Sequence, residues 1–113
     1  MTSDPGAPPP FDCHVEPDRD TVWIRPVGEI DMATAAEVQA RLDEVREAGF
    51  TRLVLDLRET TFIDSTGVHL VVEWQQRSRA ERFTFAVVQG PEPVRRVFEL
   101  TGATGQIRFI DVS

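Results

Sequence analysis

Asp64, Ser65, Thr66 and Gly67 set a carboxylate, two hydroxyls and a glycine in successive positions, and their surroundings give them chemistry. Before them, Leu53-Val54-Leu55-Asp56-Leu57 is a short apolar run of the kind that forms a strand buried on both faces. After them, Val68, Leu70, Val71, Val72 and Trp74 read as a largely buried helix. Ser65 then falls at or near the helix N-cap, where a hydroxyl can satisfy an orphan amide and the helix end favours added negative charge. That position suits a phosphate. A phosphoserine would add about -1.5 to -2 charge and three strong acceptor oxygens, which the amides after Ser65 could accommodate at little cost to the fold. Asp64 and, if the loops converge, Asp31 already make the place acidic, so a partner carboxylate brought there would be repelled.

Other chemistries compete for the same residues. Ser65 could be a plain N-cap, Asp64 a second cap or a turn residue, and Gly67 a point of close packing or of close approach by a partner. His69 lies four residues after Ser65, so a helix would put both on one face. A serine nucleophile with His69 as base would make the chain a hydrolase. No oxyanion hole is evident, the Gly-x-Ser-x-Gly elbow is absent, and no third orienting group can be named, which argues against an enzyme. His14 and His69 with Cys13 lack any recognised metal-ligand spacing, and neither a metal nor another cofactor is expected.

The elements that position these residues can be read from periodicity and punctuation. Residues 1–10 carry Pro5, Gly6, Pro8, Pro9 and Pro10 with almost nothing to bury and are expected to form a disordered tail; residues 11–113 form one domain. Cys13 and Val15 alternate with polar neighbours, and Pro17-Asp18-Arg19-Asp20 has turn chemistry ahead of Val22-Trp23-Ile24, which predicts an opening hairpin. Pro26, unable to donate to a ladder, marks an edge, a bulge or the exit of the second strand. Gly28-Glu29-Ile30-Asp31 reads as a loop, and Thr34-Ala35-Ala36-Glu37 as a capping box that opens a helix with Val38, Leu42 and Val45 inward and Gly49 as its stop. A strand at 53–57, a helix from about Ser65 to Arg79 and a strand at 83–88 follow. A helix led by Pro91 and Pro93, with Gly102 beyond its end, precedes a short strand at 107–110. The order β-β-α-β-α-β-α-β predicts an α/β fold: a mixed, mostly parallel sheet of about five strands packed with three main helices.

Composition narrows the function classes. The chain has 113 residues, enough for one core, and 19 acidic against 12 basic side chains, all arginine, for a formal net charge of -7. Such a chain is a poor binder of nucleic acid, so a protein partner is expected. Arg77, Arg79 and Arg82 stand beside Glu73 and Glu81 as a mixed solvated face, while Trp23 and Trp74 are core residues or interface anchors. One cysteine allows no internal disulfide and fits a cytoplasmic setting. No apolar stretch nears the about 20 residues needed to span a bilayer, and no export signal is read.

Gly28-Glu29-Ile30-Asp31, the following helix, the apolar strand, Phe62-Ile63-Asp64-Ser65-Thr66-Gly67 and Pro93-Val94-Arg95-Arg96-Val97-Phe98 together resemble the STAS domain of bacterial anti-sigma-factor antagonists, from about Cys13 to Ile110. The resemblance implies that Ser65 is phosphorylated by a partner anti-sigma factor that is also an ATP-using serine kinase. It implies further that the unphosphorylated protein binds that partner and frees a sigma factor in transcription regulation or a stress response, that phosphorylation ends the binding, and that a separate phosphatase reverses it. Gly28, Glu29, Asp31, Asp64, Ser65, Thr66, Gly67 and His69 are the implied partner-binding residues. Thr66 stands where serine is common, and His69 where a small or apolar residue is usual. A second reading keeps the domain as a non-catalytic subunit of an ATP-binding-cassette lipid transporter or of a larger stress-signalling assembly.

Overall fold

The computed structural model describes residues 10–112, so the tail expected at 1–10 lies, Pro10 aside, outside the described residues. The elements run β1 (Asp12–Asp18), β2 (Thr21–Ile30), α1 (Ala35–Glu47), β3 (Arg52–Asp56), β4 (Thr60–Ile63), α2 (Ser65–Glu81), β5 (Thr84–Val88), α3 (Glu92–Leu100), a 3-10 turn (Thr104–Gln106) and β6 (Phe109–Ile110). This is the expected α/β fold in the expected order, with β4 as one additional short strand. β1 and β2 pair antiparallel and every other pairing is parallel, giving the order β1-β2-β3-β5-β6 with β4 set against β2. No helix among the described residues is long and apolar enough to cross a membrane.

β2 is the spine of the sheet. Its first half pairs with β3, Thr21 to Ile24 against Arg52 to Leu55, and its last residues pair with β4, Ile30 against Ile63. The register shifts between Gly28 and Glu29, a bulge that Gly28 enables by taking φ 111. Pro26 lies in the stretch between the two parallel pairings, where neither neighbour needs its missing N–H, and its carbonyl accepts from the Thr60 hydroxyl at 3.4 Å. The loop expected at Gly28–Asp31 is therefore corrected: Gly28, Glu29 and Ile30 are strand, and the chain leaves the sheet at Asp31.

Strand alternation sends Val22, Ile24, Leu53, Leu55, Phe85 and Val87 into a core shared with the helices. Val38, Leu42 and Val45 of α1 and Val68, Val71 and Trp74 of α2 close it from above. Each such side chain contributes about 1.5–3 kcal/mol by leaving water. Trp74 is fully buried edge-on to Phe83, with ring centroids 6.0 Å apart, and its indole N–H donates to Gln39 Oε1 of α1 at 2.9 Å. It is a core residue. Gly49 ends α1 at φ 97, with Phe50 N–H returning to the Val45 carbonyl and Gly49 N–H to that of Arg46.

Candidate functional site

α2 begins where β4 ends, and Asp64 makes the junction. In extended conformation, its carboxylate Oδ1 accepts from the backbone N–H of Thr66 at 2.9 Å and of Gly67 at 3.1 Å, while its carbonyl accepts from Val68 N–H at 3.0 Å. Asp64 is the N-cap, and Ser65 is the first residue of the helix. The reading of Ser65 itself as a cap is corrected, because aspartate already fills that role. Its hydroxyl is exposed and makes no hydrogen bond among the described residues. Thr66 is exposed beside it.

Gly67 is buried. A Cβ there would meet Ile63 Cγ1 at 2.5 Å and Ile30 Cγ2 at 2.9 Å, so glycine lets the first turn of α2 rest on the ends of β2 and β4. Because Ile30 pairs with Ile63, Asp31 and Asp64 leave adjacent strand ends together, where strands lie about 4.8 Å apart. Asp64 N–H donates to the Ile30 carbonyl at 3.1 Å and locks the two exits. The loops thus converge.

Asp31 Oδ1 accepts from Ala33 N–H at 2.9 Å and Thr34 N–H at 3.1 Å, and the Asp31 carbonyl accepts from Thr34 and Ala35 N–H. The capping box expected at Thr34–Glu37 does not form. Thr34 Oγ1 instead donates to the Glu29 carbonyl at 2.6 Å and accepts from Asp31 N–H at 2.9 Å, tying the helix entry back to β2. Glu29 pairs with Phe62 and is exposed, whereas Gly28 sits further back in the bulge, facing Phe11. Met32, directly after Asp31, is 80% exposed, an apolar neighbour of the acidic pair that the sequence reading passed over.

His69 follows Ser65 by one helical turn, is exposed, and is not hydrogen-bonded to it among the described residues. Ser65 and His69 line one wall of a cavity of about 230 Å³, with Thr101 and Gln106 on the other. Cys13 points into the core, and burial pushes its thiol up to about 12. His14 alternates to the opposite face of β1, 3.6 Å from Asp12.

The sequence reading also passed over a second carboxylate. Asp56 of β3, inside the apolar run, is fully buried. Its Oδ1 accepts from Arg58 N–H at 3.1 Å and Arg58 Nε at 2.9 Å, and its Oδ2 accepts from Arg58 Nη2 at 2.8 Å and Arg25 Nε at 3.1 Å. Burial alone would push this carboxyl up, but the hydrogen bonds and charge of Arg58, joined by Arg25, hold it below the ordinary carboxylate value. The arginines that could have signalled it stand 31 residues before and two after.

The family model described as the STAS domain matches residues 14–112. The anti-sigma-B factor antagonist of Listeria monocytogenes is 30% identical over 97 residues, spanning 86% of this chain and 85% of that protein. Among solved structures, an anti-sigma factor antagonist from Mycobacterium paratuberculosis matches with a TM-score of 0.75 at 26% identity, over 94% of this chain and 90% of that one. The anti-sigma factor antagonist SpoIIAA in its unphosphorylated form matches at 0.73 and 25%, over 90% and 89%. Its phosphorylated form from Bacillus shares the fold, at 0.68 and 23%, over 90% and 92%.

Proposed function

The chain belongs to the STAS domain family of anti-sigma-factor antagonists, and we propose that it binds an anti-sigma factor that is also a serine kinase, frees the sigma factor, and is switched off at Ser65. The observation that carries this reading is the Ser65 hydroxyl, exposed and free of hydrogen bonds at the start of α2, beside Asp64 and near the exit of Asp31. In the proposed step, Ser65 Oγ bonds to the γ-phosphorus of ATP held by the partner. The bond from that phosphorus to the β-phosphate bridging oxygen breaks, ADP leaves, and a base of the partner takes the hydroxyl proton. This chain is then substrate and switch, and a separate phosphatase restores it. Glu29, Asp31, Asp64, Thr66 and His69 offer the polar contacts, while Gly28 and Gly67 shape the backbone beneath them.

The added charge acts mainly on the interface. Asp64 already holds the amides of Thr66 and Gly67, so the phosphate meets an acidic rim and few free donors. A loss of only about 1.4 kcal/mol across the interface weakens binding tenfold. The test is phosphorylation with the cognate anti-sigma factor and ATP, followed by binding measurements. One phosphate should appear at Ser65, Ser65→Ala should remain unmodified yet bind, and the phosphorylated protein should bind at least tenfold more weakly. Equal affinity before and after modification would overturn the reading.

A further inference from the structure

We propose that a phosphoryl group on Ser65 is held by the His69 side chain at the mouth of the cavity between α2 and the turn Thr104–Gln106. The inference rests on the phosphorylation proposed above and names what receives the group within this chain. A phosphoserine needs donors for three oxygens. The amides of Thr66 and Gly67 are engaged by Asp64, and Val68 N–H by the Asp64 carbonyl. No arginine lines the cavity, and the nearby strand exits carry Asp31 and Asp64, both acidic.

Two side chains on the cavity walls have donors to offer. His69 stands one turn after Ser65 on the same helix face, and Gln106 faces it from the turn; neither has a hydrogen-bond partner among the described residues. Thr101, the remaining polar group, already donates its hydroxyl to the Val97 carbonyl at 2.8 Å. The floor is apolar, formed by Val68 and Ala103, and holds the phosphate at the rim. Of the charged groups facing His69, α2 supplies Glu73 one turn further on and Asp64 at its start, and the segment after α3 supplies none in the cavity lining. Phosphorylation therefore converts His69 from an unengaged surface residue into the cation of an ion pair.

Phosphoserine installed at position 65 by genetic encoding separates this inference from kinase recognition. Phosphorus NMR of the full chain, titrated over about pH 5 to 8, reads the second ionisation of the phosphate directly. His69→Gln should raise the phosphate's proton affinity about threefold, His69→Arg should return it toward the value with histidine, and Gln106→Ala should shift it less. Superimposable titrations with His69 and with His69→Gln would overturn the inference. A cognate kinase that leaves Ser65 unmodified would overturn the proposed function without touching this result.

Discussion

Two carboxylates, eight residues apart in the chain, are treated in opposite ways. Asp56 is buried with four hydrogen bonds from two arginines, so its charge is neutralised where it sits. Asp64 is half-exposed, holds only backbone amides, and has no cation within ion-pair distance among the described residues. The first arrangement fixes β3 from within; the second leaves a negative rim exposed at the sheet's end. An exposed hydroxyl next to the second carboxylate can be modified without disturbing the core, which a hydroxyl next to the first could not.

The comparison can be broken from the buried side first. Asp56→Ala leaves the guanidinium groups of Arg25 and Arg58 without their shared anion and should cost about 3 kcal/mol in urea unfolding. The pH dependence has a definite sign. The folded carboxyl lies below its unfolded value of about 3.9, so its contribution is present above that pH and is lost as pH falls through the folded value. The stability gap between wild type and Asp56→Asn should therefore narrow below about pH 4, and a gap unchanged down to acid unfolding would count against the ion cluster.

Gly67→Ala comes next. The new methyl group would meet Ile63 and Ile30, and overpacking of this kind costs about 1–3 kcal/mol, seen as a lower urea midpoint. Asp64→Ala removes one cap and should cost about 1 kcal/mol while the circular dichroism spectrum stays unchanged. The smallest effect is the most telling: Ser65→Asp should change fold stability by less than about 0.5 kcal/mol, as an exposed substitution does, yet weaken partner binding. A fold loss as large as that of Asp56→Ala would erase the distinction between the two regions.

Legibility in the sequence followed how local each cause was. The helices, the hairpin and the Gly49 stop could be read because periodicity and turn chemistry act over a few residues. β4 escaped because Thr60-Thr61-Phe62-Ile63 is four residues long, half of them threonine, and is held by pairing with residues 32 to 33 positions earlier. Pro26 and Gly28 carry breaker signals, yet β2 passes through both because its neighbours change from β3 to β4 at that point. At the site, the sequence left open whether the loops around Asp31 and Asp64 converge, because that rests on the pairing of Ile30 with Ile63. Which side chain caps which helix was not legible either, since threonine, serine and aspartate compete for the same amides and the tertiary contacts of Glu29 and Ile30 decide between them.

The offset at Gly28 makes β2 a gauge that meters chain length. Deleting or inserting one residue between Thr21 and the bulge would rotate Ile30 out of its seat, and with it Asp31 would lose its alignment with Asp64. Length variation in this half of the chain is thus admissible at the tip of the hairpin, around Arg19, and inadmissible along the strand that follows.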